Sequence, residues 1–199
     1  MPIINLVYEG YNPARLPAEY QEVEYIQSSW SQYIDTWYKT NINMKVQLWI
    51  AENTSYTYEN AIFWDAWSEQ AMFLMAYRWY YRRHFSFNWQ NVATINWNYT
   101  ELECDKTWIT INWTKYNYTA WNTYSNNNIH IFNSWDNAQG SSRWRFSLYY
   151  FKMYDNWVLV RDFIPCYRKS DWVIWLRDAV NKQFYTNSWS WTFTKWPNV

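Results

Sequence analysis

The chain has 199 residues, and its 17 Lys+Arg balance its 17 Asp+Glu, so the formal net charge is zero. That length suits one sizeable domain with a real core, and the absence of a basic excess argues against a nucleic-acid binder. No stretch comes near the run of about 18 apolar residues that a transmembrane helix needs, so no membrane insertion is expected.

Residues 1–17 read as a leader or linker, with Pro2, Pro13 and Pro17 as breakers. The start shows no basic region followed by an apolar block, so no secretory signal is read there. Residues 18–199 read as one domain. In Gln32-Tyr33-Ile34-Asp35-Thr36, Tyr33 and Asp35 are expected on one strand face and the other three on the opposite face. Met44, Val46, Leu48 and Ile50 alternate with polar or small neighbours at period two. Ala71 to Tyr77 suits a buried strand. Phe85 to Phe87, Val92 to Ile95, Thr100 to Glu103 and Ile109 to Ile111 follow at the spacing of a meander, and Ile129 to Phe132 adds another strand. The clearest hairpin runs from Arg145 to Tyr154, turns at Asp155-Asn156-Trp157 and returns over Val158 to Ile164. Its first arm sets Phe146, Leu148 and Tyr150 against Ser147, Tyr149 and Phe151. Leu176 to Val180 offers at most one helical turn. About a dozen short strands in a domain of this size predict an all-β, two-sheet antiparallel sandwich.

Glycine is nearly missing. The chain holds 2 Gly (Gly10 and Gly140) and 19 Trp, where average usage gives about 14 glycines. Many tryptophans follow the residues that precede glycine in turns. Asn88-Trp89, Asn96-Trp97, Asn112-Trp113 and Asn156-Trp157 stand where Asn-Gly is expected, and Asp171-Trp172 where Asp-Gly is. Ser29-Trp30, Ser134-Trp135, Ser188-Trp189 and Ser190-Trp191 stand where Ser-Gly is. Asn-Gly and Asp-Gly are hairpin signals because a type I′ turn needs φ > 0 at both central residues, which glycine adopts without steric cost. The expectation is that most or all Trp letters stand for glycine. Some bacterial lineages and their phages read the UGA codon as glycine, whereas a common alternative table reads it as tryptophan. The competing reading is a truly Trp-rich chain with an aromatic binding surface.

Two segments resemble a known family. Leu16-Pro17-Ala18-Glu19-Tyr20, continuing through Val23-Glu24-Tyr25-Ile26-Gln27-Ser28 to Gln32-Tyr33-Ile34-Asp35-Thr36-Trp37, resembles the opening of LamG-like, concanavalin A-like modules of phage virion, tail-associated and bacterial surface proteins. Phe163-Ile164-Pro165 through Arg168, Ser170-Asp171-Trp172, Leu176, Asp178 and Phe184-Tyr185-Thr186-Asn187 to Trp196 resembles their ending. Family glycines appear here as Trp30, Trp37, Trp172, Trp175, Trp189, Trp191 and Trp196. The resemblance implies a concanavalin A-like jelly roll with a binding role, and it supplies no catalytic residues. The implied partner is a surface glycan or a virion protein, and the implied setting a virion or cell surface. Fibre modules are often trimeric, so a homo-oligomer fits the reading, although nothing in the sequence encodes one.

Among residues that could carry chemistry, Arg78, Tyr80, Arg82 and His84 would share one strand face and form the expected ligand-binding surface for an acidic glycan or phosphate. A charged face guarding a strand edge is the competing reading. Glu101, Glu103 and Asp105 would also share a face, resembling a glycosidase's carboxylate strand; this is the rival reading, a glycoside hydrolase. Its order of residues does not match the glycosidase signature, so no catalytic residue is assigned. His84 and His130 lack a Ser or Cys at motif spacing. The loop Asn133 to Gly140 is rich in oxygen ligands, but one acidic residue is too few for a calcium site. Cys104 and Cys166 show no zinc spacing and read as unpaired core thiols. No metal and no cofactor is expected.

Overall fold

The computed structural model describes residues 16–28, 32–52, 59–65, 72–77, 80–85, 88–94, 99–118, 125–132, 146–188 and 192–198. Among them lie sixteen strands and no helix. The strands β1 (Tyr20–Gln27), β2 (Ile34–Lys39), β3 (Met44–Glu52), β4 (Glu59–Trp64), β5 (Met72–Tyr77), β6 (Tyr80–Phe85), β7 (Asn88–Thr94) and β8 (Tyr99–Cys104) come first. They are followed by β9 (Trp108–Ile111), β10 (Thr114–Asn117), β11 (Asn128–Ile131), β12 (Phe146–Asp155), β13 (Val158–Arg168), β14 (Ile174–Asp178), β15 (Phe184–Tyr185) and β16 (Thr194–Asn198).

They form two antiparallel sheets. The ten-stranded sheet runs β10-β9-β8-β3-β12-β1-β13-β14-β15, with β16 paired to β1, and the six-stranded sheet runs β2-β11-β4-β5-β6-β7. The expected all-β, two-sheet architecture is therefore present. Period two drives it: Met44, Val46, Leu48 and Ile50 of β3 are each at most 1% exposed, while Lys45 and Gln47 face away from the core. Ile34, Ile129, Ile131 and Phe63 of the six-stranded sheet share one cluster with Leu102, Ile109, Phe151 and Phe163 of the ten-stranded sheet. Phe63 meets Phe151 edge-on with centroids 5.7 Å apart, and Phe132 stacks on Phe146 at 4.4 Å. Aromatic pairs of this kind add to the gain from burial and lock one sheet against the other. Cys104 and Cys166 are both buried, as expected of core thiols.

Two hairpins whose turn residues are described close on two residues each. Asn112 and Trp113 (φ 45° and 71°) join β9 to β10, where Ile111 pairs with Thr114. Asn156 and Trp157 (φ 47° and 67°) join β12 to β13, where Asp155 pairs with Val158. Positive φ at both central residues is the type I′ turn, whose twist matches the flanking strands.

Four expectations need correction. Tyr150 does not continue the inward row of Phe146 and Leu148, because the register shifts between Leu148↔Ile50 and Tyr150↔Trp49. The extra residue, Tyr149, makes a bulge in which two residues oppose one, and Phe151 and Met153 then take the core face at 0% exposure. Residues 176–178 belong to strand β14 rather than a helical turn, because each pairs with β13. Asn88-Trp89 lies in β7, paired with β6, and not in a turn. Asp105 lies beyond β8: its Oδ1 accepts from the N–H groups of Thr107 (2.6 Å) and Trp108 (3.0 Å) and shapes the turn into β9. It does not complete a row of three carboxylates.

Candidate functional site

The open edges of the two sheets meet where β2 lies beside β15. Period two in β2 turns Ile34 and Thr36 into the core, with Gln32 just before the strand also buried, and leaves Tyr33 and Asp35 facing outward. The residues after β15 bridge the edges: Tyr33 N–H donates to Asn187 Oδ1 (3.2 Å), and Ser188 N–H donates to the Tyr33 carbonyl (3.0 Å). Beside this seam opens a cleft of about 410 Å³, lined by Asp35, Trp37, Trp175 and residues 183–188.

Asp35 forms its acidic wall. Burial pushes the Asp35 carboxyl upward, but the nearby His130 imidazole and the hydrogen bonds from the Trp37 N–H and Asn128 outweigh burial and hold it below the usual 3.8. The Trp37 N–H donates to Oδ1 at 2.8 Å, Asn128 Nδ2 to Oδ2 at 3.2 Å, and His130 Nε2 stands 3.7 Å from Oδ2. Tyr33 packs on the His130 ring at 5.1 Å.

The opposite wall is built by the β14–β15 turn. Asn181 Oδ1 accepts from the Gln183 N–H (2.8 Å), Asn181 Nδ2 donates to the Tyr185 hydroxyl (2.7 Å), and Thr186 Oγ1 donates to the Ile174 carbonyl (3.0 Å). Behind it, fully buried Asp178 accepts from the N–H groups of Asp162 (3.0 Å) and Val180 (2.9 Å). Arg161 Nε lies 3.5 Å from Asp178 Oδ2 and also donates to the Thr36 carbonyl at 3.4 Å. One guanidinium thus joins the two sheets under the cleft.

A cleft with a fixed carboxylate, side-chain amides and aromatic rings can accept hydroxyl protons, donate to hydroxyl oxygens and cover an apolar face. In the sequence Asp35 shares a strand face with Tyr33 and is given no part in a site. No local pattern joins it to His130, which is remote in the chain and opposite it only through the β2–β11 pairing.

The residues expected to bind ligand fall elsewhere. Arg78 lies outside the described residues. Tyr80, Arg82 and His84 take alternate positions on β6, whose side chains also lie outside the description. β6 runs between β5 and β7, so it is not an edge strand. Glu101 and Glu103 do share the outer face of β8, but both are engaged. Glu103 accepts from Lys45 Nζ at 2.6 Å, and Glu101 from the Tyr150 hydroxyl at 2.8 Å. The loop 133–140 lies outside the described residues, among which no cluster of His, Cys, Asp and Glu could hold a metal. No described helix is long and apolar enough to cross a membrane.

The fold and site define an antiparallel two-sheet β protein with a polar-aromatic cleft at the junction of its sheet edges. Compared with known protein families and with curated proteins, the chain matches none.

Proposed function

We propose that this chain is a non-catalytic binding module of the concanavalin A-like jelly-roll type, carried on a phage virion or tail-associated protein, and that it holds a surface glycan in the cleft beside Asp35. The observation that carries the reading is the composition of that cleft: Asp35, held by the Trp37 N–H and Asn128 with His130 Nε2 3.7 Å away, shares it with Gln183, Phe184, Thr186, Asn187 and Ser188. Sugars offer hydroxyl donors to a carboxylate and C–H faces to aromatic rings, and an ionised acceptor makes the stronger hydrogen bond. The two segments that resemble LamG-like modules support the same reading, because residues 34–37 and 184–187 of those segments are the ones that meet at the cleft.

A glycan array followed by titration calorimetry tests this, with circular dichroism to confirm that the variant folds. Asp35→Asn is expected to weaken binding about tenfold, the size of one charge-assisted hydrogen bond. A folded protein that binds no glycan, or binds equally well as Asp35→Asn, overturns the proposal; in the first case a protein partner becomes the leading reading.

A further inference from the structure

Nine described residues other than glycine have positive φ: Trp37, Asn112, Trp113, Asn126, Phe132, Asn156, Trp157, Trp172 and Lys182. The three asparagines are tolerated there, because a short polar side chain bonds locally. Of the remaining six, four are tryptophan. Each of the four sits at a position built for glycine. Trp113 and Trp157 are the second residues of two-residue type I′ hairpins. Trp37 (φ 52°) lies in an irregular stretch of β2, where Asp35 and Lys39 bracket three residues while their partners His130 and Asn128 bracket one; glycine in the left-handed region is the usual residue of such bulges. Trp172 (φ 62°) closes the turn after β13, its N–H donating to the Arg168 carbonyl at 2.9 Å.

The side chains of these four do little for the core. Their exposures are 72% (Trp37), 86% (Trp113), 71% (Trp157) and 64% (Trp172), whereas tryptophan is highly buried on average. Their ring contacts are superficial: Trp172 stacks on Tyr167 at 5.1 Å, and Lys45 Nζ lies 5.3 Å from Trp157. The chain's 2 glycines and 19 tryptophans together make 21 residues, a normal glycine complement for a strand-and-turn fold of this length.

We infer that positions 37, 113, 157 and 172 carry glycine in the natural protein, because the source reads as glycine the codon that is written here as tryptophan. The backbone at these positions asks for a residue without Cβ, and the indoles fill no space that needs filling. The cleft beside Asp35 then keeps its carboxylate and its 183–188 wall and loses the Trp37 ring, and with it the Trp175 ring if the same codon stands there; no binding surface can rest on the other three indoles.

Peptide mapping by mass spectrometry of the protein from its native source tests this. Peptides spanning the four positions are expected to be lighter by the tryptophan–glycine difference at each; peptides carrying tryptophan overturn the inference. Independently, the chain written here and its W37G/W113G/W157G/W172G form can be melted side by side. The glycine form is expected to melt higher, by about 2–4 °C per position. An equal or lower melting temperature shows that the indoles belong to the fold and overturns the inference.

Discussion

Asp35 and His130 stand directly opposite each other in the β2–β11 pairing, with His130 Nε2 3.7 Å from Asp35 Oδ2. The pairing places a depressed carboxylate at the mouth of the cleft, and this has a measurable consequence. In the unfolded chain Asp35 titrates near 3.8, and in the folded protein below it. Its charged form therefore adds stability that is fully present above pH 3.8 and is lost as pH falls through the lower folded value. Asp35→Asn is expected to melt below the wild type at pH 7, with the gap closing below pH 3.8. A gap that stays constant with pH would show that the loss is one of shape rather than charge.

Asp178 is fully buried, accepts two backbone N–H bonds and stands beside Arg161. Removing one partner of a buried charge pair leaves the other uncompensated. Asp178→Ala is expected to cost about 3–5 kcal/mol in denaturant unfolding, and to loosen the cleft because Arg161 also holds the Thr36 carbonyl.

Phe151 contacts Phe63 across the sandwich and Phe163 within its own sheet. Phe151→Ala is expected to destabilise by about 3–5 kcal/mol. The same measurement on Tyr150→Ala should give a much smaller loss, because the bulge at Tyr149 turns Tyr150 out of the core. Equal losses would contradict the register.

Cys166 is inert in the fold. Burial pushes its thiol up to about 12, only partly offset by the Arg177 backbone N–H. Since the thiolate is the nucleophile, a thiol reagent at pH 8 is expected to leave Cys166 unmodified until denaturant is added. Rapid labelling of the native protein would refute this.

Glu101 and Glu103 are the residues on which a hydrolase reading would rest. With Glu103 on Lys45 and Glu101 on Tyr150, no reducing sugar is expected from any polysaccharide that the protein binds. Turnover abolished by Glu103→Gln would replace the binding reading with a glycosidase.

Much of the fold was legible because strand periodicity is local. The alternation of Met44 to Ile50, the Asn156-Trp157 turn and the opposed faces of Tyr33 and Ile34 each lie within a few residues, and each appears in the structure as expected. The Asp171 turn also appears, with Asp171 Oδ1 accepting from the Val173 N–H at 3.2 Å. The site was less legible. Asp35, Asn128, His130 and Asn187 come from distant segments, and no local pattern links them.

By itself the sequence determined the class of fold, the turns at 112–113, 156–157 and 171–172 and the inward face of β3, because side-chain alternation and φ preference act over a few bonds. Only the tertiary structure decided which edges meet, where a bulge reverses alternation, and that Asp35 shares a cleft with residues 183–188. Those outcomes depend on pairings between remote strands, whose register is set by how the whole core closes.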